Sequence, residues 1–406
     1  MKKILSILLI AILFSCSKEA TLKPLEKGLY RVALEIQDNE ELPFIINVTS
    51  ANSLEIHNAK EIILVDEITY KNDSVYIQTP VFEGYIVAKI TEKGFEGSFI
   101  KESLDRIVPI KAEKNNGNRF SLKENKNSAK MNGVWETVFS QDSEKDRYIA
   151  KGVFNQDGQK ITGTFRTTTG DYRYLEGVIN GNDFKLSTFD GAHAFLFKGT
   201  ISGTKMNGFF YSGNHWKEPF TATKNDSYEL PDENTLTYIK EGYETFDFSF
   251  PDKNGKLFSL KDKRFENKVV IVQLMGTWCP NCLDESKYYS KFSQENKGKD
   301  IEFIALAFEV AKTEEIAFQR INRLKNRLKI TYPIVLAQFG NVADKVLAQE
   351  KLPMLNHIIS YPTSIFIDKK GLVRKIHTGF NGPATGKNYL DFKIEFENFV
   401  AKLLKE

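Results

Sequence analysis

Lys268-Val269-Val270-Ile271-Val272-Gln273-Leu274-Met275-Gly276-Thr277-Trp278-Cys279-Pro280-Asn281-Cys282 is the stretch on which the fold reading turns. Its first half is a nearly continuous apolar run, the pattern of a central strand covered on both faces. Its second half ends in two cysteines three residues apart. Pro280 suits a first helical turn, where its missing N–H is no loss, and a helix is expected from about Asn281 to Glu295. Cys279 therefore falls where a buried strand ends and a helix begins. A thiol there faces the unpaired N–H groups and positive end of the helix, which favour the thiolate. The thiolate is the nucleophile of disulfide exchange, and Cys282, one turn further in, is placed to resolve a mixed disulfide. A CxxC can also be half of a zinc site. No second CxxC exists, and His57, His193, His215, His357 and His377 lie far away in sequence. No metal is expected, and no cofactor beyond the redox-active pair Cys279–Cys282 itself.

The segments around this stretch extend the pattern. Ile301 to Phe308 reads as a second buried strand. Thr313 to Leu328 reads as a helix, with Thr313 as N-cap and Glu315 close behind. Thr363 to Asp368 and Leu372 to Ile376 flank the turn Lys369-Lys370-Gly371 and predict a hairpin, and Tyr389 to Leu404 an amphipathic closing helix. Strands alternating with helices make residues 243–406 an α/β domain.

Upstream the pattern is different. Residues 28–223 show short runs of alternating apolar and polar residues, such as Tyr30 to Ile36 and Ser74 to Gln78, separated by turns such as Lys71-Asn72-Asp73 and Asn180-Gly181-Asn182. Pairs such as Gly84-Tyr85-Ile86 with Phe95 to Phe99, and Gly199-Thr200-Ile201 with Met206 to Phe210, form a loose repeat of hairpins with glycine at bends. Antiparallel hairpins with one apolar face must close into a barrel or pack as a sandwich. The polar stretch 111–130 suggests a division into two subdomains. Residues 224–242, with Pro231-Asp232-Glu233-Asn234, read as a linker. The fold class is thus multidomain, an all-β N-terminal region followed by an α/β domain.

Composition sets the wider frame. The chain has 406 residues, too many for one ordinary core. The 56 basic and 53 acidic residues leave a formal charge of only +3, and no basic block stands out, so nucleic-acid binding has no support. Lys2 and Lys3 followed by the apolar run Ile4 to Phe14 predict a secretory signal over residues 1–15, too short to span a bilayer. Leu13-Phe14-Ser15-Cys16 resembles the lipobox of bacterial lipoproteins, which makes Cys16 the expected lipidation site and 16–27 a tether. With Cys16 so capped, only Cys279 and Cys282 remain of three cysteines. A single thiol pair at this spacing points to chemistry rather than to a stapled scaffold.

The motif Gly276 to Cys282 resembles the active-site signature of the TlpA/ResA-like branch of thioredoxin-fold proteins. Tyr361-Pro362-Thr363 resembles that family's cis-proline element, and Gly379 a family glycine close to that proline. The segments Leu352 to Pro362 and Thr378 to Gly386 resemble C-terminal domains of lipoprotein thioredoxins of the Bacteroidetes type. The resemblance implies a thioredoxin fold for the α/β domain. It also implies that Tyr361 and Pro362 face the cysteine pair and bind an extended substrate. Two departures bear on mechanism. Thioredoxin's buried acid, six residues before the first cysteine, is here Gln273, which cannot accept the proton of Cys282. Glu285 matches a glutamate that follows the motif in ResA-like proteins. It stands one helical turn from Cys282, where side chains at i and i+3 are neighbours, and if buried its raised pKa would let it relay a proton. The proline that often follows it in the family is replaced here by Ser286. Trp278 is expected beside the motif, shaping the substrate surface.

These readings predict a lipid-anchored thiol–disulfide oxidoreductase of the cell envelope, facing the periplasm. It would exchange Cys279–Cys282 with disulfides of exported proteins, mostly as a reductase. Family resemblance implies a membrane thiol donor upstream. The alternative is a ligand- or partner-binding envelope lipoprotein whose redox domain is accessory. A peroxidase is disfavoured, because a Pro-x-x-x-Thr-x-x-Cys pattern is missing. His193, His215 and Trp216 read as parts of the β-region rather than ligands, His357 as a residue whose loop leads into Pro362, and Arg166 to Arg173 as either a binding rim or a turn.

Overall fold

A computed structural model describes residues 23–122 and 128–406. The signal segment and the expected lipidation site Cys16 lie outside the described residues.

Two antiparallel sheets of nine strands make up the N-terminal region. In the first, Gly28–Glu35 is central and pairs with both Glu41–Ser50 and Arg106–Lys114. Its edge strands, Glu61–Val65 and Glu67–Lys71, are separated in the chain by Asp66 alone. The two edges therefore meet, and the sheet must curl round a core that includes Val32, Phe44, Ile46 and Phe95. In the second, Tyr148–Asp157 pairs with Gly133–Phe139 on one side and Lys160–Thr167 on the other. This closes the sheet into a barrel, with the short strand Gly170–Asp171 appended to it. Aromatic rings fill the interior: Phe139 meets Phe165, Phe197, Phe210 and Phe220 at centroid distances of 5.4 to 6.3 Å. Of the two expected solutions for the hairpins, barrel and sandwich, the chain adopts barrels. The outward alternation of side chains suits either. In the second sheet ladder closure decides it, since it removes the exposed edges, whereas the first curls with its edge strands joined through Asp66 and no closing ladder between them.

The C-terminal domain is built on a five-stranded sheet in the order Ile334–Gly340, Ile301–Val310, Val269–Met275, Thr363–Ile367, Val373–Thr378. The first three strands run parallel and the last two antiparallel. Every residue of Val269–Met275 is buried, as a strand with helices on both faces requires. The helices are α1 (Pro280–Glu295), α2 (Glu314–Leu328), α3 (Lys345–Lys351) and α4 (Lys387–Lys405). Thr313 caps α2 by accepting from the Ile316 N–H at 3.3 Å. Glu314 and Glu315 in its first turn and Lys325 and Arg327 in its last complement the helix dipole. No helix among the described residues is long and apolar enough to cross a membrane.

The three units are fastened together. Arg320, Arg323 and Arg327 form one stripe of α2 and pair with Glu83, Glu67 and Asp66 of the first barrel. Arg173 of the second barrel is buried and pairs with Glu61 of the first barrel at 2.8 Å, with Asp190 at 3.3 Å, and with Asp284 on α1. The polar stretch 224–242 is strapped down as well. Lys240 N–H donates to the Met354 carbonyl at 2.8 Å, and the Asn356 N–H to the Tyr238 carbonyl at 2.9 Å.

Candidate functional site

Cys279 is the N-cap of α1, and its sulfur accepts the Cys282 N–H at 3.2 Å. The cap arises because the strand Val269–Met275 must end at Gly276 to let the chain turn. A Cβ on Gly276 would stand 2.2 Å from the Trp278 ring nitrogen. Cys279 also sits 3.4 Å from the Tyr361 carbonyl. Both thiols are free, with Cys279 at the surface of the core and Cys282 fully enclosed. Burial, and then the neighbouring Cys279, push the Cys282 thiol far above its ordinary range, so it stays protonated at neutral pH.

The opposite wall is Tyr361-Pro362, joined by a cis peptide bond. The Trp278 indole N–H donates to the Phe308 carbonyl at 2.9 Å, and the ring stands edge-on to Tyr361, centroids 6.0 Å apart. Gly379 N–H donates to the Pro362 carbonyl at 2.9 Å.

Glu285 lies one turn along α1 and is completely buried. Gln273 Nε2 donates to one of its oxygens at 2.8 Å. Ser364 Oγ and Tyr289 OH donate to the other at 2.9 and 3.2 Å. Burial pushes its pKa up, and the three donors only partly oppose this, leaving it at about 7. Its charge acts on Cys282 in turn. Gln273 stands where thioredoxin has its acid, and here it holds the acid supplied from the helix. Ser286 donates to the Gln273 oxygen at 3.1 Å, fixing which end of the amide faces Glu285.

A second buried carboxylate escaped the sequence reading. Glu309 accepts both the Thr277 N–H at 2.9 Å and its hydroxyl at 2.5 Å, and burial raises its pKa to about 7. The signal was present, since Glu309 is an acid near the end of the otherwise apolar run Phe303 to Val310. Asp284 was missed too. Burial disfavours its charge, but Arg173 and Lys287 outweigh burial and hold its carboxyl below the ordinary range.

The run Arg166 to Arg173 is an inter-domain contact. Gly170 lies against the motif, where a Cβ would come within 2.0 Å of the Asn281 amide nitrogen. Ser360 Oγ donates to the Thr169 carbonyl at 2.9 Å, and the Gly382 N–H donates to Asp171 at 2.6 Å. His193, His215 and Trp216 line a cleft between the barrels and the motif. His357 is exposed beside Asn356.

Comparison with known proteins agrees with this geometry. The Redoxin family model matches residues 240–391. The thioredoxin-like protein YneN of Bacillus subtilis is 28% identical over 141 residues, covering 35% of this chain and 73% of its own. The thiol-disulfide oxidoreductase ResA of Halalkalibacterium halodurans is 29% identical over 140 residues, 34% of this chain and 69% of its own. The C-terminal domain has a thioredoxin fold of TlpA/ResA-like character. Among solved structures, a thioredoxin-family thiol:disulfide interchange protein from Chlorobium tepidum aligns at 21% identity and a TM-score of 0.29, over 41% of this chain and 99% of that one. These matches cover the thioredoxin domain, and the two barrels stand in front of it as a further region of the same chain.

Proposed function

We propose that the thioredoxin domain reduces disulfides of exported proteins, with Cys279 as nucleophile, Cys282 as resolving thiol and Glu285 as proton acceptor. The observation that carries this reading is the Cys279–Cys282 pair at the start of α1, with the cis Tyr361-Pro362 opposite and the buried Glu285 one turn beyond Cys282. The Cys279 thiolate attacks one substrate sulfur, forming a mixed disulfide and releasing the other sulfur as a thiolate. Cys282 then gives its proton to Glu285, directly or across one water, and its thiolate attacks the Cys279 sulfur. The second substrate thiolate leaves, the proton on Glu285 passes to a leaving thiolate, and Cys279–Cys282 is oxidised. A membrane thiol donor would restore the dithiol. Tyr361, Pro362 and Trp278 would hold the substrate strand across the pair, and lipid on Cys16 would tether the protein to an envelope membrane.

Insulin reduction tests this. The reduced full-length protein should reduce insulin, Cys279→Ser should abolish the activity, and Glu285→Gln should slow it about a hundredfold. Activity surviving Cys279→Ser would sink the mechanism. The rival reading, a binding lipoprotein with an accessory redox domain, draws on the large cleft against the barrels. That cleft is partly walled by Trp278 and Asn281, so whatever it binds lies against the redox motif.

A further inference from the structure

The cleft is about 840 Å3, within the size range of natural ligand sites. All three units wall it. Trp278 and Asn281, which immediately precede Cys279 and Cys282 in the motif, form one side, His193 and Trp216 of the second barrel another, and Lys101 and Arg106 of the first barrel a third. Trp216 is 42% exposed, an unusual state for the largest apolar side chain.

The charges on these walls are unevenly satisfied. Each lining carboxylate is occupied. Glu83 pairs with Arg320. Glu218 accepts from Ser140 at 2.6 Å and Tyr148 at 2.8 Å. Asp171 accepts main-chain N–H groups of Arg173 and Gly382 at 2.7 and 2.6 Å. Of the lining cations Arg320 is paired with Glu83, but Lys101 and Arg106 have no acidic partner in contact. Among the described residues the Lys101 ammonium donates only to the Ala192 carbonyl at 3.0 Å. The Arg106 guanidinium has no hydrogen bond or ion pair with any of them; Glu83 is the acid whose charge it feels, and the Lys101 ammonium nearby repels it. Burial disfavours the charged form of both, a penalty that an anionic guest relieves. One further group is unpaired. Asn281 donates to the Asp171 carbonyl at 3.4 Å, which leaves its own oxygen a buried acceptor with no donor among the described residues. Such orphans are rare in folded proteins, and this one stands inside the redox motif on the cleft wall.

We propose that the cleft binds an extended polypeptide segment of the disulfide substrate that carries an acidic side chain near its cysteine. The carboxylate meets Lys101 and Arg106, a main-chain N–H meets the Asn281 oxygen, and Trp216 and Trp278 cover the apolar parts of the strand. This rests on the reading that Cys279–Cys282 is the exchanging pair.

The test uses the reduced full-length protein and four disulfides. Two are peptides with one intrachain disulfide, identical except for flanking Glu or flanking Lys. The others are hydroxyethyl disulfide, which has no charge, and oxidised glutathione. The expected result is a kcat/KM for the acidic peptide at least about tenfold above that for the basic one at low salt, with the ratio falling as salt is added. The ratio should collapse towards one in Lys101→Met/Arg106→Met and persist in Lys101→Arg/Arg106→Lys. Equal rates for the two peptides, with hydroxyethyl disulfide still reduced, would overturn the cleft assignment and leave the exchange reading standing. A preference for oxidised glutathione with none between the peptides would also overturn it, in favour of a small anionic disulfide. Failure to reduce hydroxyethyl disulfide would sink the exchange reading, and this assignment with it.

Discussion

Glu285→Gln should change how the stability of the thioredoxin domain depends on pH. In the folded protein burial holds Glu285 at about 7, against an ordinary 4.5. Between these values the folded state keeps a proton that the unfolded chain has released. Stability therefore falls as pH rises, and the neutral form's advantage is lost once pH passes about 7. A carboxyl shifted this far has its ionised form disfavoured by about 3 kcal/mol. From roughly pH 5 to pH 8 the group's contribution declines by about 2.5 kcal/mol. Other groups titrate in the same window. Glu309, also at about 7, adds a decline of the same sign. His377, which burial depresses to about 3, works in the opposite direction, because its unfolded form takes up a proton below about 6.5. The quantity to measure is thus the difference between parent and variant, in which these terms cancel. All α-helices among the described residues belong to the thioredoxin domain, so urea unfolding followed by helical circular dichroism reports on that domain. Parent minus Glu285→Gln stability should fall by about 2.5 kcal/mol across the range. A difference that stays constant would mean that Glu285 titrates like an exposed glutamate, and the proton-acceptor role would lose its basis.

Two further substitutions probe the supports of the site. Arg173→Met leaves Glu61, Asp190 and Asp284 without their shared buried cation. It should destabilise the folded chain by about 3–5 kcal/mol in urea, and a loss under about 1 kcal/mol would show that water takes over the pairing. Thr277→Val removes the hydroxyl donor to Glu309 and should lower stability by about 1–2 kcal/mol. It should also move the titration of Glu309 upward in a carboxyl-sensitive infrared measurement, and an unmoved band would refute the coupling.

The thioredoxin domain was legible in sequence because its signals are local. The apolar run Val269 to Met275, the caps at Cys279 and Thr313, and the turn at Gly371 each lie within a few residues of what they specify. The hairpins of the β-region were legible for the same reason. Closure of the second sheet was not, because it depends on Tyr148–Asp157 finding partners on both sides. The site was half legible. Cys279, Cys282 and Glu285 recur at every third position at the start of one helix, so spacing relates them. Gln273 read as the loss of an acid, whereas its role as donor to Glu285 needs the strand and helix packed together. Glu309 reaches Thr277 from 32 residues away and Arg173 reaches Asp284 from 111. Contacts at such separations leave no periodic trace, and only an unpaired charge within an apolar run hints at them.

The Arg173 pairing also bears on how the molecule can be dissected. Asp284 is two residues past Cys282, and its charge is balanced by a guanidinium that belongs to another domain. A fragment cut at the domain boundary would keep the cysteines and lose that balance, leaving Asp284 open to water with Lys287 as its remaining partner. The same cut would strip Gly170 from Asn281 and Thr169 from Ser360. Rates or potentials measured on the excised domain would therefore describe a helix in different electrostatic surroundings, and the redox properties belong to the whole chain.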